Sequence, residues 1–583
     1  MPPDRDAAMT GAPLRAADRV LRGGRLLTQD PAHPVAEALA IEGERIVAVG
    51  GNEAISQRIG PGTQVHELAG RTLLPGLVDG HAHMDREGLK QVFPSLGPVR
   101  SIADIQQRIA ELARMRAPGE WIVTMPIGTP PAYFDAPGCL RENRWPTRHE
   151  LDEAAPDNPV FIRPIWGYWR HTAPLVSIAN SRALACAGID RNTVSPTPTI
   201  TLGRDASGEP DGVFSEHTMM PIVEHSLMRC VPGFSEADRA ATLPGAMAAY
   251  HAFGTTSIFE EHGAAAELIR AYKAVHRRGA LTMRTALVAS PDWSVLAGGT
   301  HPDSYGRLLD AWAAGLGEPA CGDAFLRVTG LFVDIDVVTD NRLRAQSMPY
   351  TGWAGFNYDT ALAREKARAL LIACAERRIR AVAIWPNMLD LFEEVDRIVP
   401  IRDQRWVLGH LSSLSPGDIG RVRDLGLVTT SHTNRYVYKE GHLLAERLGP
   451  ARSQEVSPLR ALVEAGVPVS LATDNVPVSM FWPIWQSVTR MNRYTGRPVA
   501  PEQAISRSQA LHAATAAGAM LTFEEDVKGR LAPGLLADMT VLDRDPLAVP
   551  DEALMALRSE LTLVGGRIVW SSPAMVSGGP SMA

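Results

Sequence analysis

One short pattern recurs at both ends of the chain and constrains its fold more than any other feature. Leu21-Arg-Gly-Gly-Arg-Leu-Leu27, Ile41-Glu-Gly-Glu-Arg-Ile-Val47 and Leu563-Val-Gly-Gly-Arg-Ile-Val569 each set a Gly-containing turn between two β-prone runs. That arrangement is the signature of a hairpin. The third copy lies more than five hundred residues beyond the others. A strand-rich segment at either end buries a face only poorly by itself. The two ends are therefore expected to pair into a small composite β-sandwich, residues 17–74 with 528–572, and residues 75–527 to form a second unit inserted between them. The alternative is a set of unrelated surface hairpins.

Composition removes several function classes. With 583 residues, 45% hydrophobic and 21% charged, the bulk of the chain is globular rather than disordered. A net charge of −7 offers no basic footprint for nucleic acid. No uncharged apolar run reaches the ~18 residues of a membrane span; the longest candidate, Leu243 to Phe259, is broken by Pro244, Gly245, His251 and Gly254. Five scattered cysteines (139, 186, 230, 321 and 374) with no C-x-x-C pair make neither a disulfide framework nor a thiolate zinc site. A reduced, cytoplasmic setting follows, and the N-terminal residues carry no apolar segment of a secretory signal. Residues 1–16 and the tail from about Ser571 read as loose ends. The expected partners are a small-molecule substrate and further copies of the chain, with no nucleic acid and no membrane.

Between the ends, helical and strand-like stretches alternate. Ser101–Ala117 and Asp359–Arg378 have helical periodicity, the first through Ile102, Ile105, Ile109 and Leu112. Leu281–Ala289, Arg380–Ile384, Trp406–Gly409, Leu425–Thr430 and Val467–Ala472 are short apolar runs without alternation. Parallel strands buried on both faces look like this. The expected fold is α/β, a (β/α)8 TIM-like barrel joined to the composite β domain. Residues 86–240, rich in Pro and Trp, break the rhythm and are expected to form an insertion over the barrel mouth.

The chemistry-bearing residues follow apolar runs. In Leu73-Leu-Pro-Gly-Leu-Val-Asp-Gly-His-Ala-His83, the period of two in a strand sends His81 and His83 to one side, roughly 7 Å apart along the backbone. Two imidazoles aimed at one point suit a shared divalent cation such as zinc. Gly466-Val-Pro-Val-Ser-Leu-Ala-Thr-Asp474 delivers a carboxylate to the C-terminal end of a strand, where barrel active sites lie. Asp474 is a candidate metal ligand and proton acceptor; its alternative role is to cap the next helix. His410 follows Trp406-Val-Leu-Gly in the same way, although a lone His is more often structural.

These stretches, with Lys528-Gly-Arg-Leu-Ala-Pro-Gly-Leu-Leu-Ala-Asp-Met-Thr-Val-Leu-Asp543 near the C-terminus, resemble the metal-dependent amidohydrolases, specifically the YtcJ-like group called amidohydrolase family 3. The resemblance runs from about Asp18 to Val569. It implies His81 and His83 as metal ligands on the first barrel strand, His410 on the sixth and Asp474 on the eighth. The segment beginning at His171 and Gly208–Glu216 are similar to the group's insertion, and His171, His432 and Trp482 are expected to contact substrate. Two positions depart from the family pattern. Gly330 stands where family members commonly carry a metal-bridging Lys, and Val382 where they carry a fifth-strand His. One zinc ion held by His81, His83, Asp474 and His410 is then expected. The alternative is a substitute ligand: Glu261 or His262, in Thr255-Thr-Ser-Ile-Phe-Glu-Glu-His-Gly263, as metal ligand or general acid, unless Glu260 to His262 form a solvated loop. Asp334 and Asp336 are weaker candidates. Trp166, Tyr168, Trp169, Phe481, Trp482 and Trp485 either line an apolar pocket or pack helices onto the barrel.

The implied function is hydrolysis of a non-peptide carbon–nitrogen bond of a small organic molecule through a metal-activated water, Asp474 serving as general base and then acid and His410 or the metal stabilising the oxyanion. Two alternatives remain: a cyclic amidase or heterocycle deaminase of the same superfamily, and a non-catalytic relative that only binds a ligand.

Overall fold

The computed structural model describes residues 15–130, 133–165, 173–218, 221–291, 305–310, 321–335, 350–355 and 362–576. Its central sheet runs in sequence order through eight parallel strands: Leu77–Asp79, Thr255–Ala264, Arg284–Ala289, Leu326–Phe332, Ala381–Ala383, Val407–Leu408, Val428–Ser431 and Val469–Leu471. Below they are barrel strands one to eight. Strands one and eight close the barrel beyond their last residues, where Gly80 N–H donates to the Leu471 carbonyl and Asp474 N–H to the His81 carbonyl, each at 2.9 Å. The strands read as unbroken apolar runs because both faces are covered. Phe259, Val288, Phe332, Val382, Val407 and Val428 form an apolar plug with Ala286, Ile384 and Leu521, and Trp385 packs against it. Helices such as Ala266–Arg277 and Arg364–Glu376 cover the outside.

Both chain ends build the second unit. A six-stranded sheet joins three C-terminal strands edge to edge with three N-terminal ones, Thr72–Pro75 lying antiparallel to Met539–Leu542 in register Leu73↔Val541. A four-stranded sheet made only from N-terminal strands packs on it, and Leu21, Leu39 and Ile41 meet Met539, Val541 and Leu563 in one core. Two of the three hairpins form as expected: Ala38–Glu42 pairs with Arg45–Gly50, and Ser559–Val564 with Arg567–Ser571. Gly565 and Gly566 turn the latter at φ +54° and +69°, the pair of positive values that a tight two-residue hairpin turn requires. The first expected hairpin is wrong. Arg19–Arg22 pairs with Ala38–Glu42 and Gln64–Glu67 in one sheet, while Arg25–Leu27 pairs with Val35–Ala36 and Thr72–Pro75 in the other. Gly23-Gly24 there carries the chain between layers rather than back on itself.

The insertion between strands one and two contains its own five-stranded sheet, Ile122–Thr124, Val160–Ile162, Leu175–Ala179, Ile200–Arg204 and Pro210–Glu216. The helix expected over 101–117 spans Ile102–Ala113, started by the Ser101 side chain accepting from Asp104 N–H. The part of the helix expected at 359–378 that is described begins at Arg364. Among the described residues no helix is long and apolar enough to cross a membrane.

A buried ion pair joins the two units. Arg284, the first residue of strand three, donates from Nε and Nη2 to Asp538 at 2.6 and 3.0 Å, and both side chains are 2% exposed. Asp538 also accepts from Gly565 N–H at 2.7 Å. Asp538→Ala strands a buried guanidinium and should lower stability by about 3–5 kcal/mol. Urea unfolding of the two proteins measures it, and a shift within experimental error would show that the pair does not hold the units together.

Candidate functional site

His81 and His83 follow strand one directly, and His83 precedes the helix Met84–Leu89. They lie just beyond the strand rather than within it, yet their rings converge: the two Nε2 atoms are 2.8 Å apart. Their other nitrogens face carboxylates from strand two. His81 Nδ1 is hydrogen-bonded to Glu261 Oε2 at 2.5 Å, and His83 Nδ1 to Glu260 Oε2 at 3.1 Å. Each glutamate is fixed in turn. Thr430 Oγ1 donates to Glu261 at 2.6 Å, while the Tyr272 hydroxyl and Met84 N–H donate to Glu260 at 2.9 and 3.0 Å. The tautomers in which both Nδ1 atoms donate leave both Nε2 lone pairs facing the same point, the arrangement that a cation needs.

Asp474 arrives from the far side of the closure, just after strand eight. Its Oδ1 is 3.3 Å from His83 Nε2 and 3.9 Å from His81 Nε2. Asp79 ties the two loops together, accepting from His81 N–H at 3.2 Å and Thr473 N–H at 3.0 Å and from the Thr473 hydroxyl. His410, after strand six, and His432, after strand seven, stack with ring centroids 4.0 Å apart, and both lie within 4.7 Å of His81 by the same measure. His262 approaches from strand two, centroids 6.2 and 6.3 Å from His81 and His83, and rests on Phe332 at 5.0 Å. Two sets of side chains have the spacing of metal ligands: His81 with His83 and His262, and His81 with Glu261, His410 and His432.

Burial sets the protonation states. It holds His81, His83 and His410 well below the ordinary imidazole range, and His262 down at about 3. A neutral imidazole is the form that ligates a metal. Burial lifts Glu260 and Glu261 well above the usual carboxylate range, Asp474 to about 6 and Asp79 to about 7. Carboxylates raised in this way are the groups a bound cation would pull back towards ionisation.

The chain matches the amidohydrolase family over residues 64–570. It belongs to that family. It is a hydrolase of carbon–nitrogen bonds other than peptide bonds. The N-substituted formamide deformylase of Arthrobacter pascens is 27% identical over 94% of this chain and 97% of its own. The putative amidohydrolase YtcJ of Bacillus subtilis is 24% identical, covering 94% and 99%. An uncharacterized metal-dependent hydrolase from Pyrococcus horikoshii superposes with a TM-score of 0.65 at 19% identity, over 92% of this chain and 99% of that one, which shows the shared fold.

In this amidohydrolase His81, His83, Glu261, His262, His410, His432 and Asp474 come together. Trp482 lines a cavity of about 600 Å³ with Asn434, Lys439 and Val476, and the charges of Lys439 and Asp474 act on one another. Phe481 and Trp485 pack in the main core instead. His171, Trp166, Tyr168, Trp169 and Asp336 lie outside the described residues, and Asp334 accepts from Trp385 Nε1 at 3.2 Å. Asp474 caps no helix, since the next one, Phe481–Thr489, starts after Met480. Glu260 to His262 are not a solvated loop either: strand two runs on to Ala264, and both glutamates are fully buried. Gly330 and Val382 offer no ligand. A Cβ at 330 would abut the Arg380 carbonyl, and Val382 belongs to the apolar plug. Asp79, Tyr272, Thr430 and Thr473 were not foreseen. Only Asp79 had a sequence signal, sharing the parity of His81 and His83.

Glu260→Gln tests the histidine-orienting carboxylates. Glutamine has one acceptor oxygen where three donors converge, so His83 loses its fixed tautomer. Divalent-metal affinity, read by competition with a chelator, should fall roughly 10- to 100-fold. An unchanged affinity would show that Glu260 does not orient the ligand.

Proposed function

We propose that this amidohydrolase cleaves an amide-type bond of a small organic molecule with the help of one divalent cation, zinc, held by His81, His83 and Asp474. One observation carries the reading: His81 Nε2, His83 Nε2 and Asp474 Oδ1 form a triangle with edges of 2.8, 3.3 and 3.9 Å. Tetrahedral zinc with bonds of about 2.0–2.1 Å asks for ligand atoms roughly 3.3 Å apart. Two opposed lone pairs and a carboxylate, all buried, also make a donor set suited to a cation. When bound, zinc supplies Lewis acidity and brings the pKa of water from roughly 15.7 to about 7.

The protein's own groups do the rest. Asp474 lies beside both histidines and takes the proton from the attacking water, then returns it to the departing amine, whose expulsion as an anion would be prohibitively slow. Its second oxygen, 4.0 Å from His432 Nδ1, leaves that carboxylate room to act while Oδ1 faces the histidines. Asp79 keeps it in place through the Thr473 backbone and hydroxyl. The deformylase relative acts, by its name, on N-substituted formamides, and such open-chain amides head the substrates to try. Cys139, Cys186, Cys230 and Cys374 are free thiols, which suits work in the reducing cytoplasm.

A panel of N-substituted formamides, other amides, carbamates, lactams and heterocyclic amines tests the reaction class. Amine release from an open-chain amide is expected; ring opening or ammonia release would reassign the enzyme to cyclic amides or deamination, and no turnover by a metal-loaded protein would favour a binding role. Asp474→Asn keeps an oxygen near the metal position but removes the base. It should lower kcat by about 10²–10⁴-fold with metal content retained. Undiminished turnover would remove Asp474 from the mechanism.

A further inference from the structure

The reaction defines the bond to be cleaved but not the rest of the molecule that carries it. The cavity beside Trp482, about 600 Å³, has the size of a small-molecule pocket. Its inner wall continues directly from the reacting groups. Val476 follows Asp474 by two residues and Asn434 follows His432 by two; both line the cavity, and Asn434 Nδ2 donates to the Val476 carbonyl. Arg100, Thr129 and Phe134 bring the insertion to the same cavity.

The lining is chemically one-sided. The chain carries a net charge of −7, yet Lys439, Arg100, Arg493 and Arg558 face this cavity against one carboxylate among the described residues, Asp135. Thr129 already holds that carboxylate, through its N–H at 2.8 Å and its hydroxyl at 2.7 Å. The three arginines are exposed, whereas Lys439 is 3% exposed. A buried ammonium is costly unless anions attend it. Burial lowers Lys439 to about 7, with Asp474 and Glu440 raising it and Arg435 and Arg493 lowering it. Two charges of each sign thus surround it, and an anionic ligand would tip that balance in its favour. Lys439 also ends a π-helical turn, Asn434–Lys439, an irregularity frequent at functional sites. The remaining walls are aromatic. The Tyr438 and Trp482 rings meet edge to face with centroids 5.5 Å apart, and the Arg493 guanidinium lies 3.6 Å from the centre of the Phe134 ring.

We propose that this cavity receives the non-reacting part of the substrate and selects amides that carry a carboxylate on an aromatic group, Lys439 pairing with the carboxylate and Tyr438 and Trp482 flanking the ring. The proposal rests on the amide-cleaving reading above, which identifies the reacting end. A single buried ammonium matches a monoanion, and the exposed Arg100 and Arg493 help to draw it in. Lys439 is then a specificity residue and takes no part in breaking the bond.

Binding of a matched pair of probes tests the pocket apart from the reaction. N-(para-carboxybenzyl)methanesulfonamide and its para-carbamoyl counterpart hold sulfur where an amide holds its carbonyl carbon, so neither is an amide substrate. Calorimetry on the purified full-length protein should show the carboxylate bound about 10- to 100-fold more tightly than the carboxamide. Lys439→Met should bind the two alike. Trp482→Leu should weaken both, which keeps the pocket testable if Lys439→Met fails to fold as judged by circular dichroism. Equal binding by the wild type, a preference that survives in folded Lys439→Met, or unchanged affinities in Trp482→Leu would each overturn the proposal. Hydrolysis of N-(para-carboxybenzyl)formamide is followed in parallel. No turnover with the binding preference intact removes the amide-cleaving reading and leaves the pocket; turnover without the preference does the reverse.

Discussion

Two buried imidazole nitrogens, 2.8 Å apart, are the constraint on which the rest of this molecule is organised. Left to themselves such rings would rotate apart. They are held by carboxylates on their far sides, and those carboxylates by Thr430, Tyr272 and the Met84 amide. Strand two is long enough to do this twice. Alternation along a strand sends consecutive side chains to opposite faces. Glu261 therefore points to the face it shares with Thr430 of strand seven, and Glu260 to the face it shares with Tyr272 of the covering helix. Both still reach the histidines, because His81 and His83 sit above the end of strand one, where the two faces meet. A register shift between Glu260 and Ala264 in the pairing with strand three marks the place, and such irregularities often re-aim side chains beside active sites.

Much of this was legible in the sequence, for definable reasons. The barrel shows because parallel strands buried on both faces leave unbroken apolar runs, and the shared β domain shows because each end of the chain carries strands that need partners. His81, His83, His410 and Asp474 show because each follows such a run. What did not show depends on contacts across the sequence. Gly23-Gly24 resembles Gly565-Gly566 as a turn, yet only the second pair has partner strands on both sides within one sheet. Tyr272 and Thr430 carry no mark in their own surroundings, because their importance comes from Glu260 and Glu261, 12 and 169 residues away.

The site also concentrates backbone strain. His410, Asp474 and Asn475 all hold φ near +50°, and non-glycine residues in that region cost about 1–3 kcal/mol each. Such conformations persist only where the surroundings over-determine them. Here the surroundings are identifiable. Asp474 N–H is tied to the His81 carbonyl, Thr473 to Asp79 and Asn475 N–H to the Thr473 hydroxyl. Beneath them the apolar plug, Phe332 and Val382 among it, fills the barrel. Hydrocarbon on strands four and five therefore does more than withhold ligands. It turns that side of the barrel into a rigid floor, against which the loops after strands one, six, seven and eight can hold an unfavourable geometry.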